Sequence, residues 1–195
     1  MYALICLEGI SYAGKTTVAR LLSKNMPAIY GPRVASGWED REEKIHQNPN
    51  PLARFSFFME EIAARSEQVK QLLEMTDVVL DRYLLSVLAY HNVIARTPLE
   101  AGLDLSALRQ PDLTVLLTVD EMALRQRMKN RLPRHRYESD PTFLLEVQRK
   151  FLRLIDWGKI KVVDTSIQSA EKIAYALLEE LVRKGFIKSR LPKRE

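Results

Sequence analysis

Short apolar runs alternate along the chain with longer segments in which apolar residues recur at helical spacing. The runs predict five strands, at residues 2–7, 28–30, 77–80, 113–119 and 162–163. The longer segments predict helices at residues 14–24, 52–73, 84–93, 99–108, 121–130, 142–156 and 170–184. Strands separated by helices favour a parallel sheet covered on both faces, with ligands bound beyond the carboxyl ends of its strands.

Polar and turn-forming residues mark the boundaries of these elements. Residues 34–51 are polar and predict an irregular segment, with a turn at its Asn-Pro-Asn-Pro end. Asp140 followed by Pro141 predicts a helix N-cap with proline at the first helical position. The length of 195 residues fits a single domain over residues 1–195, with a basic tail from about residue 186.

Composition narrows the function classes. The chain is 46% apolar, which argues against disorder, and it lacks the run of about 18 apolar residues that a membrane span needs. We therefore expect a cytoplasmic protein without a membrane partner. Cys6, the single cysteine in the sequence, lies in an apolar run, so we expect a buried thiol and no internal disulfide.

The positive net charge of +5 and the pI of 9.3 fit either nucleic acid or a phosphorylated small molecule. Much of the excess comes from residues 188–193 and from arginines around residues 125–136. Because the charge is concentrated in these two places, we do not expect nucleic acid as the partner and favour a nucleotide substrate.

The segment Gly9-Ile-Ser-Tyr-Ala-Gly-Lys-Thr16 matches the P-loop pattern G-x-x-x-x-G-K-[ST] between a predicted strand and a predicted helix. Its backbone N–H groups can face a polyphosphate, Lys15 can reach the β- and γ-phosphates, and the Thr16 hydroxyl can ligate Mg²⁺. We expect Lys15 at an exposed loop end, and ATP and Mg²⁺ as cofactors. The residues predicted to hold the nucleotide here are Gly9, Ser11, Tyr12, Ala13, Gly14, Lys15, Thr16 and Thr17.

Asp81 and Arg82 follow the third predicted strand, at the same sheet edge as the P-loop. By themselves they fit an ion pair or a helix cap. Together with the P-loop they predict that Asp81 lies near the metal and that Arg82 lies near an acceptor anion.

Three stretches resemble the thymidylate kinases, a family of nucleoside monophosphate kinases: LEGISYAGKTT, VVLDRYLLSVLAYH, and QPDLTVLLTVDEMALRQRMKNR followed by RHRYESD. They cover nearly the whole chain. The resemblance implies a P-loop NTPase fold of the α/β class, with a doubly wound five-stranded parallel sheet, helices on both faces and an Arg-rich lid at about residues 131–141. It also implies a homodimer, since members are commonly dimers.

The lid is predicted from Arg131, Arg134 and Arg136, because arginines on a closing loop can stabilise the charge of a phosphoryl-transfer transition state. Arg136, within RHRYE, matches the family's lid arginine and is assigned a catalytic role with Lys15, Asp81 and Arg82. Arg127, on the preceding predicted helix, either packs along the adenine or faces solvent.

The acceptor side departs from the family pattern. Phe57 falls at the position of the family's base-stacking aromatic, where stacking and core packing both fit. The family's base-contacting arginine falls on Glu61, and Arg65, one helical turn later, is the substitute. Ser86 and Tyr90 are expected to line the acceptor pocket with Arg82, and Arg33 is expected to bind the acceptor phosphate.

Two family motifs are absent. The carboxylate that contacts the sugar from within the P-loop is replaced by Ser11, and Tyr30-Gly-Pro-Arg33 stands where the family has Arg-Glu-Pro-Gly-Gly. ATP-dependent phosphoryl transfer is therefore better supported than dTMP as its acceptor.

Four functions remain open. The leading one is a kinase for dTMP or a related nucleoside monophosphate. The second is a kinase for a nucleoside or another hydroxyl acceptor, in which Asp81 would accept the hydroxyl proton. The third is a nucleotide-binding protein with little kinase activity, and the fourth is a nucleic-acid kinase.

Overall fold

The computed structural model describes residues 2–133 and 136–187, without the side chains of Arg136 and Trp157. The strands are β1 Leu4–Glu8, β2 Ala28–Tyr30, β3 Asp77–Asp81, β4 Leu113–Thr118 and β5 Ile160–Asp164. The helices are α1 Lys15–Asn25, α2 Glu39–Ile45, α3 Pro51–Leu72, α4 Leu84–Ala95, α5 Glu121–Lys129, α6 Pro141–Arg153 and α7 Ala170–Arg183. Two 3₁₀ turns lie at Arg136–Glu138 and Ile155–Trp157.

The five strands form one parallel sheet in the order β2-β3-β1-β4-β5, which confirms the predicted sheet. β1 is central, with Leu4 opposite Val78 of β3 and Ile5 opposite Leu113 of β4. Every residue of β1 is buried. This burial explains why β1 appears in the sequence as a continuous apolar run rather than as an alternating one.

The strand order creates a cleft above β1 and β3. The chain passes from β1 through α1 to the edge strand β2, and later from β3 through α4 across β1 to β4. Right-handed crossovers in opposite directions put α1 and α4 on opposite faces of the sheet. α1 packs against α7, and α4 packs against α3 and α6. The loops leaving β1 and β3 therefore diverge and leave room for a ligand between them.

Side-chain caps start α3 and α6, which both pack against α4. The Asn50 side chain accepts from the N–H groups of Leu52 and Ala53 at the start of α3, ahead of Pro51. Asp140 caps α6 in the same way, with Pro141 as the first helical residue, so the predicted cap is confirmed. Proline fits there because the first helical N–H has no partner within the helix.

Two predictions of secondary structure are wrong. Residues 99–108 form turns instead of a helix, because Gly102 takes a positive φ of 78° and the Asp104 side chain accepts the Ser106 N–H. Side chains such as Leu99 pack on the core from an irregular backbone. The polar segment 34–51 contains the short helix α2, although an irregular segment was predicted. This helix lacks the stripe of apolar residues from which a helix is predicted.

The buried apolar side chains form one core around the sheet. Cys6 belongs to this core and is fully buried, as predicted, and burial raises the pKa of its thiol well above the ordinary value. Within residues 2–133 and 136–187, none of the helices combines the length and apolar character needed to cross a bilayer.

Candidate active site

The P-loop joins β1 to α1 in a backbone conformation that needs its glycines. Gly9 has a φ of 134°, and a Cβ there would lie 2.2 Å from the carbonyl oxygen of Leu117. Gly14 has a φ of 89° and directly precedes Lys15, the first residue of α1. Tyr12 also takes a positive φ, of 68°. The loop thus wraps closely over the sheet edge and ends at a helix N-terminus, where an anion is favoured.

Lys15 is buried, so the expectation of an exposed loop end is wrong. Its Nζ folds back over the loop and donates to the carbonyl oxygen of Ile10 at 2.7 Å. Burial, with the nearby charge of Arg82, lowers the pKa of Lys15 to about 7. A bound polyphosphate would favour the charged form, because an opposite charge offsets the cost of burial.

Asp81, at the end of β3, faces the P-loop across the cleft. The Thr16 hydroxyl donates to Asp81 Oδ2, and the Tyr30 hydroxyl lies 3.5 Å from the same oxygen. Asp81 is 5% exposed, and its Oδ1 has no hydrogen-bond partner among the described residues. Lys15 and Asp81 line one cavity, at the same edge of the sheet.

The Thr16 hydroxyl and the unpartnered oxygen of Asp81 fit Mg²⁺, which prefers oxygen ligands. No group of three or more His, Cys, Asp or Glu residues suited to a metal is present in the described part of the chain. A site with few protein ligands is consistent with Mg²⁺ in phosphate chemistry, where waters and substrate phosphates complete the shell.

Arg82 connects the P-loop to α4. Its Nη1 donates to the Gly9 carbonyl oxygen at 2.9 Å and to Ser86 Oγ at 3.1 Å. Its Nη2 lies 3.1 Å from Ser11 Oγ and 3.3 Å from the Tyr90 hydroxyl oxygen. The Arg82 backbone has a φ of 75°, an uncommon conformation for a residue with a side chain. These contacts hold the Arg82 guanidinium between the P-loop and the first turns of α4.

Glu8, the last residue of β1, was missed by the sequence reasoning. Its Oε1 accepts from the N–H groups of Tyr83 and Ser86 at 2.8 and 3.3 Å, and its Oε2 accepts from the Ser86 hydroxyl. A carboxylate from another strand therefore caps α4, whose own N-cap residue makes no side-chain cap. Burial raises the pKa of Glu8. The available signal was an acidic residue directly before the P-loop glycine.

Glu138 was also missed. It belongs to the 3₁₀ turn Arg136–Glu138, and its Oε1 accepts from the Ser11 hydroxyl at 2.8 Å. Ser11 is 4% exposed and Glu138 is 5% exposed. A carboxylate from the segment between α5 and α6 thus reaches the P-loop position where the resembled family has its own acid. Its place within RHRYESD gave no indication of this contact.

Arg127 and Arg131 lie on the nucleotide side of the cavity. Arg127 donates to the Tyr12 carbonyl oxygen and to Thr165 Oγ1, both at 3.0 Å, and to the Thr165 carbonyl oxygen. These hydrogen bonds connect α5 to the P-loop, so the Arg127 side chain does not simply face solvent. The guanidinium of Arg131 lies 5.4 Å from the centre of the Tyr12 ring. Arg134 and the side chain of Arg136 lie outside the described residues, as do residues 188–195 of the predicted tail.

Arg65 is held firmly on the acceptor side of the cavity. Its Nη1 donates to the carbonyl oxygens of Arg33 and Arg82 at 2.6 and 3.2 Å. Its Nη2 pairs with Glu61 at 3.1 Å, and both side chains of this pair are buried. Burial raises the pKa of Glu61. The buried ion pair of Glu61 and Arg65 therefore lies in the part of α3 where the sequence predicted a base-stacking aromatic residue and a base-contacting arginine.

Two acceptor-side predictions have different outcomes in the structure. Arg33 lines the cavity, where its guanidinium pairs with Glu42 at 3.0 and 2.5 Å. The Phe57 ring lies 5.3 Å from the rings of both Trp38 and Phe58, which supports core packing for Phe57. Phe58 is the aromatic residue of this pair that lines the cavity.

The cavity has a volume of about 920 Å³ and extends from the P-loop to the groove between α3 and α4. It brings most of the predicted site residues together. Those lining it are Ser11, Tyr12, Gly14, Lys15, Thr16, Thr17, Arg33, Arg65, Asp81, Arg82, Ser86, Tyr90, Arg127 and Arg131.

Comparisons with known proteins agree with this arrangement. The family model for thymidylate kinase matches residues 7–174. A probable thymidylate kinase of Methanocaldococcus jannaschii is 30% identical over 182 residues, covering 87% of this chain and 90% of that protein. One from Methanocorpusculum labreanum is 32% identical over 171 residues, covering 78% and 83%.

A solved structure of thymidylate kinase from Candida albicans matches the fold. Its TM-score is 0.78 at 24% sequence identity, and the match covers 95% of this chain and 93% of that one. The family model spans most of the sequence and includes the P-loop, Asp81 and Arg82. This chain belongs to the thymidylate kinase family.

Proposed function

We propose that this protein transfers the γ-phosphoryl group of ATP to a nucleoside monophosphate, with dTMP as the preferred acceptor. The observation that carries the proposal is the meeting of Thr16 and Asp81 at one end of a cavity whose other end is lined by arginines. The names of the relatives support dTMP in particular.

On the donor side, the P-loop amides and Lys15 would bind the β- and γ-phosphates. Thr16 and Asp81 would hold Mg²⁺, which neutralises charge on the transferred group. Arg127 keeps the P-loop in place through the Tyr12 carbonyl, and Arg131 would flank the nucleotide beside the Tyr12 ring.

A monophosphate acceptor needs no general base, because its second pKa is about 6 and it is largely ionised at neutral pH. This fits Asp81, whose Oδ2 is engaged by Thr16. Arg82 supplies positive charge on the acceptor side of the cavity, where the charges of Arg33 and Arg65 are balanced by Glu42 and Glu61. The charge of Arg82 favours an anionic acceptor over an uncharged nucleoside.

The lid role assigned to Arg131, Arg134 and Arg136 remains part of the proposal. Closing of this segment would bring guanidinium groups to the transferred phosphoryl group and exclude water. We further propose that Glu138 supplies from the lid the sugar-contacting carboxylate that the P-loop lacks at Ser11. The hydrogen bond between Ser11 and Glu138 supports this assignment.

A coupled assay for ADP formation tests the function, with ATP and Mg²⁺ and a panel of all common nucleoside monophosphates and nucleosides. We expect the highest kcat/KM with dTMP. Asp81→Asn serves as the inactive control, because it removes the proposed metal ligand with little change in volume. Selective phosphorylation of nucleosides would favour a hydroxyl-acceptor kinase. Tight ATP binding without transfer to any acceptor would favour a nucleotide-binding protein with little kinase activity.

The predicted homodimer and cytoplasmic location stay predictions. Light scattering coupled to size exclusion measures the first directly, and a mass of about twice the 22.5 kDa chain is expected.

A further inference from the structure

The turn Arg136–Glu138 contacts two walls of the cavity through neighbouring side chains. Glu138 accepts from the Ser11 hydroxyl of the P-loop at 2.8 Å. The Tyr137 hydroxyl accepts from Nη1 of Arg54, which lies in the first turn of α3. All four side chains line the cavity. The segment between α5 and α6 therefore spans the cavity from the P-loop to α3.

The contact between Arg54 and Tyr137 combines a hydrogen bond with a cation–π interaction. The Arg54 guanidinium lies 4.6 Å from the centre of the Tyr137 ring. A hydrogen bond from a charged donor is stronger than one between neutral groups. Arg54 is 3% exposed, and both interactions are strengthened where water is excluded. The pair can therefore hold the turn Arg136–Glu138 against α3.

The Tyr137 ring has a second support that does not depend on its hydroxyl. It packs against Phe143 of α6, with 5.1 Å between the ring centres. The Phe143 ring lies 6.2 Å from that of Tyr90, whose hydroxyl accepts the Ser11 N–H at 3.0 Å. Removing the Tyr137 hydroxyl alone would leave this packing in place. The hydrogen bond with Arg54 can therefore be tested separately from the packing of the ring.

Tyr137 and Glu138 are consecutive residues of one 3₁₀ turn, so their positions are linked. Consecutive side chains of such a turn point about 120° apart, because it has about three residues per turn. Rotating the turn so that Tyr137 leaves α3 would also move Glu138 away from the P-loop. The position of the Glu138 carboxylate consequently depends on the contact that its neighbour makes with Arg54.

We propose that Tyr137 is a positioning residue and that Arg54 is its anchor on α3. The pair holds the turn Arg136–Glu138 over the cavity and thereby sets the Glu138 carboxylate against Ser11. This inference rests on the proposed function, in which Glu138 contacts the acceptor sugar. Because the hydrogen bond from Arg54 must break when the segment opens, the pair also sets the balance between the open and the closed lid.

Tyr137→Phe tests the anchor, because it removes the hydroxyl and keeps the ring that packs against Arg54 and Phe143. We expect kcat for dTMP phosphorylation to fall about tenfold, the effect of losing one hydrogen bond to a charged group. Amide hydrogen exchange in residues 137–140 should become about tenfold faster, because the same hydrogen bond holds the segment closed. Tyr175→Phe is the matched control and should leave both quantities at their wild-type values, since Tyr175 lies on α7 and is 43% exposed.

A double-mutant cycle separates the anchor from independent contributions of its two residues. Arg54→Met removes the guanidinium and keeps an unbranched side chain, and it should lower kcat at least as much as Tyr137→Phe does. The double variant should be no slower than Arg54→Met alone, because both changes remove the same hydrogen bond. Independent roles would instead multiply the two losses, to about 100-fold for two tenfold effects.

A second cycle tests whether Tyr137 acts through Glu138. Glu138→Ala should lower kcat much less in the Tyr137→Phe background than in the wild type, because the carboxylate is no longer positioned there. A tyrosine that only stabilised the fold would leave the effect of Glu138→Ala unchanged.

The outcomes separate this inference from the proposed function. Faster exchange and a lower kcat in Tyr137→Phe, with losses that do not multiply in either cycle, support the inference. Wild-type exchange or wild-type kcat in Tyr137→Phe, or losses that multiply, would overturn it and leave the kinase function intact. Failure of the wild-type protein to phosphorylate any nucleotide overturns the proposed function, and hydrogen exchange then still decides whether Arg54 anchors the turn. If Arg54→Met does not fold, Tyr137→Phe and its cycle with Glu138→Ala decide.

Discussion

Replacing Glu138 by alanine is expected to lower kcat/KM for dTMP by about 10- to 100-fold. Glu138 Oε1 accepts from Ser11 Oγ at 2.8 Å, and both residues are at least 95% buried. A hydrogen bond to a buried charged group contributes about 1.5–3 kcal/mol. At about 1.4 kcal/mol per tenfold change, this range gives the stated loss if the carboxylate contacts the acceptor in the transition state.

A more specific experiment places a carboxylate at position 11 of the P-loop, in place of the Ser11 hydroxyl. Ser11→Asp alone should also lower kcat/KM, because it places two carboxylates against each other in a buried site. The double variant, Ser11→Asp with Glu138→Ala, has a single carboxylate again and should exceed both single variants. Such a coupling between neighbouring positions is measured by a double-mutant cycle.

The assay is the coupled measurement of ADP formation, with thermal unfolding to confirm that each variant is folded. Glu121→Ala is the matched control, because Glu121 lies on α5 and pairs with Arg125 at the surface. A Glu138→Ala enzyme within twofold of wild type, or a double variant no better than either single one, would refute the reasoning. In that case the Ser11 contact would be only a structural feature of the lid.

Three further predictions follow from the site. Lys15→Ala should reduce phosphoryl transfer at least about 100-fold, and near-normal turnover would contradict the assignment. The variant should keep its thermal stability, because a buried ammonium group is costly in the absence of ligand. Arg136→Ala should lower kcat more than it weakens dTMP binding, and an effect confined to KM would argue against a lid role. Burial lowers the pKa of His91 to about 4 in the folded protein, whereas the unfolded chain has the ordinary value of about 6.5. Between these two pH values the unfolded chain binds a proton that the folded protein does not bind. The free energy of unfolding should therefore fall by up to about 3 kcal/mol as the pH is lowered through this range. Urea unfolding of wild type and His91→Phe over this range checks it, since the variant should lack that component.

The sequence was sufficient for features that depend on one segment and its position in the sheet. Gly9 and Gly14 fix the P-loop, and Asp81 ends a strand of the same parallel sheet, so their shared edge could be predicted without knowing the strand order. Features that depend on contacts between distant segments could not be predicted. The hydrogen bond from Ser11 to Glu138 joins residues 127 positions apart, and neither residue type indicates its partner.

The errors have physical causes of the same kind. Lys15 was expected to be exposed because a lysine after a loop usually is, whereas its side chain folds over the loop onto the Ile10 carbonyl. Residues 99–108 have apolar residues at helical spacing, yet Gly102 and the Asp104 side chain favour turns. Arg54 of α3, which the sequence did not single out, also lines the cavity, because the packing of α3 against α4 places it there.

The carboxylate of Glu8 has a mechanical consequence for the catalytic cycle. Since it leaves the same strand as the P-loop and binds the first turn of α4, the donor loop and the acceptor helix form one rigid block. Rocking of α4 relative to the P-loop would have to break the hydrogen bonds of Glu8 with Tyr83 and Ser86. Any motion that brings the two substrates together while keeping these hydrogen bonds must therefore move this block as one piece.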